Sequence, residues 1–220
     1  MSTVETERKD FDSRALVRKT TVGLACFAPK TVELPATLLT SATEIVDLST
    51  LGFIPIGMVT REGYTFSGEI EKEDVDALGY YSPVRSDVTR VPRTVSMTLL
   101  ESGKKAIQEL VRGTKITETQ SATTGEVVFD EPDLPNFDEV RLIVVSADGP
   151  LSNHWIEGRG FFAAKISSLG EETWAHEGAH QRQVTFDIFN DDVEGVPVRH
   201  YFGGSGAILA KDILGYAQGV

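Results

Sequence analysis

Between Arg93 and Ser102 the chain reads Arg-Thr-Val-Ser-Met-Thr-Leu-Leu-Glu-Ser, so that Val95, Met97 and Leu99 alternate with Thr94, Ser96 and Thr98. A period of two sends the three apolar side chains to one face of an extended strand, which is the wrong spacing for a helix. Val184, Phe186 and Ile188 alternate with Thr185 and Asp187 in the same way. That places a strand over 183–189, antiparallel to another over 160–166 across a polar loop. Val140 to Val145 reads as a continuous apolar strand ended by Asp148-Gly149-Pro150. Helical spacing stands out in one place. Ser102 suits an N-cap, Ala106, Ile107, Leu110 and Val111 share a face, Arg112 suits the C-terminal dipole and Gly113 ends the run. A helix of about three turns is marginal alone and must lay its apolar face on a sheet. Many short strands and one helix, at about 103–112, predict a mainly β sandwich or barrel with a flanking α-helix.

The punctuation between these segments sets the layout. Residues 1–21 carry few apolar side chains and read as a flexible N-terminal arm. Short apolar runs from Val22 to Leu48 are broken by Pro29 and Pro35, which suits short strands or extended loops. Phe53–Val59 and Tyr64–Ile70 are expected to pair as a hairpin turning at Glu62-Gly63, where Gly can supply a positive φ. A Thr-rich linker covers 114–124, Val127-Val128-Phe129 reads as a short strand, and Asp130–Asp138 is an acidic loop broken by Pro. Gly203-Gly204-Ser205-Gly206 reads as a hinge into a C-terminal arm over 203–220. The expectation is one domain over 1–220, with a β core at 22–202; no repeat of fixed period is present.

One connection inside that core is too long for a turn. Residues 68–90 carry Glu69, Glu71, Glu73, Asp74 and Asp76 on one side of Gly79 and Arg85 and Arg90 on the other. Among them lie Val75, Leu78, Tyr80, Tyr81 and Val84. An isolated charge run is usually a solvated loop. A compact domain seldom keeps a loop of this length without a use for it, and the apolar residues point to a surface buried on contact with a neighbour.

The 220 residues have a formal net charge of −12 and a pI near 4.8, and 40% of them are hydrophobic. That is enough apolar content for a core, while the charge disfavours a tight grip on nucleic acid. Cys26 is the sole cysteine, which excludes an intrachain disulfide and a thiolate metal cluster. It lies in an apolar run and reads as a small buried hydrophobe. The first 19 residues lack the apolar core of a signal peptide, and no apolar run reaches bilayer length, so folding in a cytosol is expected.

The sharpest catalytic signal is His176-Glu177-Gly178-Ala179-His180, which satisfies H-E-x-x-H. On a helix, the two His would bind zinc with Glu177 as general base. Gly178 weakens a helix at the centre of the motif, the residues before it read as a turn, and a strand follows at once. No third ligand is marked. A polar hairpin loop with both His exposed is the reading the context favours, so no metal, cofactor or catalytic role is expected. His154 and His200 are isolated, and Gly203–Gly206 lacks the Gly-Lys-Ser/Thr of a P-loop. Trp155 and Trp174 lie beside polar loops and suit either loop packing or an interface.

Leu51-Gly52-Phe53, Glu62-Gly63-Tyr64-Thr65, Ala77-Leu78-Gly79, Pro83-Val84-Arg85 and the Arg93–Ser102 strand together resemble the major tail tube proteins of long, non-contractile-tailed bacteriophages, particularly those of actinobacterial hosts. The resemblance covers about Leu51 to Gly113, with weaker agreement from Arg159 to Gly204. It implies a β-sandwich with one helix, subunits that form stacked hexameric rings, and a lumen built of inner strands. It also implies a long loop and terminal arms that bridge ring to ring. The partners it implies are further copies of the chain, a tape-measure protein, tail terminator and distal tail proteins, and double-stranded DNA that passes without specific binding. The setting it implies is the virion tail, assembled in the host cytoplasm. The alternatives are a tail-end adaptor of related fold and a zinc-dependent hydrolase built on His176, Glu177 and His180.

Overall fold

A computed structural model of the chain describes residues 3–5, 8, 12–101, 103–174, 176 and 178–217. Its strands are β1 (Val22–Pro29), β2 (Ile54–Pro55), β3 (Val59–Gly68), β4 (Glu71–Val75), β5 (Arg85–Arg90), β6 (Arg93–Leu99), β7 (Val140–Asp148), β8 (Trp155–Thr173), β9 (Gln181–Phe189) and β10 (Val198–Gly203). The helices are α1 (Lys105–Arg112), α2 (Ser205–Leu209) and α3 (Lys211–Leu214). Eight strands form one antiparallel sheet in the order β2-β1-β7-β8-β9-β6-β3, with β10 on β8; β4 and β5 pair only with each other. The fold is mainly β, as the strand periodicity predicts.

The sheet is built on β8. Its first half pairs with β7 and with β10, and its second half pairs with β9. Phe189 of β9 lies opposite Ala163 and Val198 of β10 opposite Phe161, so β9 and β10 run end to end along the same edge. The sheet curls until Phe66 on β3 stacks on Phe161 of β8, ring centroids 6.1 Å apart.

Two cores explain two sequence patterns. Val95, Met97 and Leu99 of β6 and Val184, Phe186 and Ile188 of β9 all face the inside of the curl, together with Ile107 and Val111 of α1. Their intervening Thr, Ser and Asp residues face outward, which gives the alternation. Strand β7 is different. Val140, Leu142 and Val144 enter the same inner core, while Ile143 and Val145 enter a second one on the opposite face. That second core is closed by Leu34, Leu38, Leu48 and Phe53 from the segment between β1 and β2. Burial on both faces is why β7 reads as a run rather than an alternation.

Several sequence expectations are corrected. Phe53–Val59 and Tyr64–Ile70 do not form a hairpin. Ile54 and Pro55 pair with β1, and β3 continues through Glu62-Gly63 to pair with β6. Gly63 has φ +74°, and the register slips between Val59–Leu99 and Tyr64–Met97, so the glycine serves a bulge instead of a turn. Val127–Phe129 joins no strand pair among the described residues and stays outside the sheet. Ser102 lies outside the described residues, and Lys104 holds the cap position of α1 without a side-chain hydrogen bond. Gly203–Gly206 is a packed corner and not a hinge: a Cβ on Gly206 would overlap the Trp155 indole. At the other end of the chain, the Lys19 N–H and Thr21 Oγ1 donate to Asp148 at 3.0 and 2.8 Å. Arg18 lies 3.6 Å over the Trp155 ring. The last residues read as an arm are therefore fastened to the sheet.

Candidate assembly surface

Strand β3 ends at Gly68, opposite Arg93, and the Glu69 N–H donates to the Pro92 carbonyl at 3.1 Å. Beyond that point the connection 68–90 is not an irregular loop; it forms a second hairpin. Lys72 lies opposite Val88, Glu73 opposite Asp87, Asp74 opposite Ser86 and Val75 opposite Arg85, with a bulge between Glu71 and Lys72. The Val84 N–H donates to the Val75 carbonyl at 2.9 Å, and the Tyr80 N–H donates to the Ala77 carbonyl at 3.1 Å. Gly79, at φ +89°, sits in the turn that lets the tip close.

All ten candidate contact residues stand on this hairpin. Glu69 is at its base, Glu71, Glu73, Asp74 and Val75 are on β4, Leu78, Tyr80 and Tyr81 are at the tip, and Val84 leads into Arg85 on β5. Every residue of both strands is exposed. Leu78 and Tyr81 are as open as in an extended chain, at 104% and 108%, and Tyr80 is at 72%. A two-stranded hairpin without a core is marginal in water, and exposed large apolar groups clustered at one tip mark a contact surface.

The charges on the hairpin are only partly matched. Lys72 meets Asp74 at 3.0 Å, Arg85 meets Asp87 at 2.6 Å, and Arg90 reaches Glu71 at 3.9 Å. Hydrogen bonds from Ser86 and then Lys72 hold the Asp74 carboxyl below its ordinary pKa. Glu73 faces Asp87 directly across the ladder, a like-charge pair that costs stability within one chain. Glu73 and Asp76 have no ion-pair partner among the described residues.

The predicted core helix lies where its spacing requires. Ile107 and Val111 are buried, and Ala106 and Leu110 are half-buried against the inner core. Beside α1 runs a groove of about 850 Å³ that the sequence did not reveal. A Phe at 137 within an acidic, Pro-broken loop is the signal that could have pointed to it, because a solvated loop has no need of an aromatic.

His176 and His180 lie in the connection between β8 and β9, both exposed and neither on a helix; Glu177 lies outside the described residues. His180 stacks on Trp174 at 5.2 Å. Among the described residues no group of three or more His, Cys, Asp or Glu is placed to hold a metal. Cys26 is buried, and burial pushes its thiol up to about 11, which leaves it inert.

Sequence reasoning also missed a buried ion pair. Arg141 sits within β7 and donates to Asp191 Oδ2 at 2.7 Å and to the Phe162 carbonyl. Asp191 is fully buried in the segment between β9 and β10. The signal was Arg141 itself, a charge in an otherwise apolar strand, which needs a partner.

No protein-family model matches the chain, and no curated protein matches it. Among solved structures it is similar to the tube-terminating cap of the anti-feeding prophage, determined by cryo-electron microscopy. The TM-score is 0.41 at 10% identity, over 86% of this chain and 95% of that chain.

Proposed function

We propose that the chain is a structural subunit of a phage tail, and that it assembles into stacked hexameric rings forming the tube through which viral DNA is delivered. The observation that carries this reading is the hairpin β4–β5. It pairs only with itself, carries Leu78, Tyr80 and Tyr81 unburied at its tip, and leaves Glu73 and Asp76 without an ion-pair partner among the described residues. Such a device has a use when another copy receives it. The motifs over Leu51–Gly113 that resemble major tail tube proteins span this hairpin and the strands that hold it. The net charge of −12 suits a conduit that must pass DNA without binding it. In this reading the partners are identical subunits, the tape-measure protein around which the rings form, terminator and distal tail proteins, and DNA in transit. The protein has no catalytic role and belongs in the virion tail, after assembly in the host cytoplasm. No helix among the described residues is long and apolar enough to cross a membrane.

The test combines electron microscopy with removal of the hairpin. Gly68 and Arg93 close the β3–β6 ladder without help from β4 or β5, and shortening a loop changes closure entropy only modestly. Replacing Glu71–Val88 with a short Gly-Ser linker should therefore leave circular dichroism and melting close to the parent. The parent should form tubes or rings, and the shortened chain should stop at monomers or single rings. A parent that stays monomeric at every concentration contradicts the reading, as do normal tubes from the shortened chain.

A further inference from the structure

The groove beside α1 has an apolar floor and a charged rim. Phe27, Ile54, Leu110 and Phe137 are among its apolar lining residues, and exposed Lys115 and half-buried Lys165 are among its charged ones. The rim acids are mostly engaged within the chain. Glu139 takes Lys30 at 2.6 Å, and Glu109 accepts the Ile116 N–H at 2.9 Å and faces Lys105, outside the groove, at 3.9 Å. Asp138 has no ion-pair partner among the described residues, and neither does Lys115 or Lys165. With the Lys30–Glu139 and Lys105–Glu109 pairs set aside, the lining leaves two lysines against one aspartate, a small positive excess. The hairpin tip is its complement, with Leu78, Tyr80 and Tyr81 exposed and Glu73 and Asp76 uncompensated.

We propose that the tip of β4–β5 in one copy seats in the α1 groove of a second copy. The aromatic and aliphatic side chains cover the floor, and Glu73 and Asp76 meet Lys115 and Lys165 at the rim. Apolar groups buried at the centre with a polar rim is the anatomy of a specific interface. The two surfaces lie on different parts of one subunit, so the contact is heterologous. Each copy offers one tip and one groove, and copies can add without limit unless a ring or a cap closes them. The proposal rests on the tail-tube reading for the existence of the contact, and it adds the receiving site.

The two ideas can be separated by cross-linking. Ser82→Cys places a thiol beside the tip, and Thr114→Cys places one in the groove wall; buried Cys26 does not compete. The two full-length variants are mixed under assembly conditions, treated with a short bismaleimide, and compared with each variant alone. A heterodimer that appears in the mixture and is lost from either single variant is the expected result. Adding Lys115→Glu to the groove chain should abolish the cross-link, and adding Asp76→Lys to the tip chain should restore it. Both positions are exposed, and circular dichroism verifies that each variant is folded. Tubes seen by microscopy without this cross-link overturn the groove assignment and leave the tube reading standing. A cross-link without tubes or rings supports the groove and sinks the tube reading. A cross-link that is indifferent to Lys115→Glu overturns the charge pairing, and absence of both tubes and cross-link overturns both ideas.

Discussion

Asp191 is the fully buried carboxylate among the described residues. Its Oδ1 accepts the Val193 and Glu194 N–H groups at 2.9 and 3.0 Å, and its Oδ2 faces Arg141 at 2.7 Å and Lys30 at 3.9 Å. The Glu194 amide, then Val193 and Arg141, lower its pKa to about 2 against the opposing cost of burial. A lowered pKa means that the unfolded chain binds the proton more readily. The stabilisation is thus present above the ordinary Asp value of about 3.9, and it is lost as pH falls from there towards about 2. Urea midpoints should drop over that window in the parent and drop less in Asp191→Asn. Asp74, held low by Ser86, Glu101, held low by Lys104, and Asp148, held low by the Lys19 amide, add to the slope. At neutral pH, Asp191→Asn leaves the Arg141 charge buried without its partner, and should cost about 3–5 kcal/mol. An unchanged midpoint at neutral pH would show that the pair contributes nothing. The sequence displayed half of this pair. Arg141 is a charge inside a run that reads as continuously apolar, but its partner lies 50 residues away and is chosen by how the segment between β9 and β10 folds back. Tertiary pairing of that kind has no local signature.

Elements were legible in proportion to how one-sided their burial is. Strands β6 and β9 bury one face and therefore alternate, and α1 buries one face and therefore shows a helical stripe. The tip residues of the hairpin were likewise visible as apolar groups stranded among charges. Its two strands were not, because Glu71–Val75 and Arg85–Arg90 bury neither face and so carry no period. Gly63 misled for a different reason: a positive φ serves a bulge as well as a turn, and only the pairing partner decides between them. The segment 30–53, which closes the second core, is irregular and rich in turns, so Leu34 and Leu38 read only as short strands or extended loop, and Phe53 as the start of a hairpin strand. The helix assignment has a direct check. Ile107 is 2% exposed and belongs to the inner core that β6 and β9 also enter, so Ile107→Ala should cost about 2–5 kcal/mol by loss of contacts and creation of a cavity. Lys105 points away from the core, and Lys105→Ala should stay within about 0.5 kcal/mol. Denaturant melts of the unassembled protein measure both, and equal effects would mean that α1 is rotated from the packing described here.

At the scale of the whole molecule two opposing electrostatic effects meet. Each copy carries a formal charge of −12 at neutral pH, with a pI near 4.8, so in the proposed assembly identical subunits repel as they approach. The attraction that the proposed contact sets against this is local: apolar burial at the tip and two close charge pairs at the groove. Long-range repulsion is the more easily screened, because the Debye length shrinks from about 30 Å at about 0.01 M salt to about 10 Å at about 0.1 M. Contacts that exclude water are screened much less. At fixed protein concentration the sedimenting, assembled fraction should therefore rise from about 0.01 to about 0.3 M NaCl. A protein held together chiefly by charge attraction between copies would do the reverse, so a fall with salt would place the binding energy in ion pairs rather than in Leu78, Tyr80 and Tyr81. The same net charge governs DNA. Counterion release rewards a protein that neutralises phosphates with Lys or Arg, and an acidic tube has little to offer there. Assembled tubes should leave double-stranded DNA unretarded even at low salt, where non-specific affinity is greatest. Retention that weakens steeply as salt is raised would reveal a basic lumen, and would make the protein a DNA-binding particle instead of a conduit.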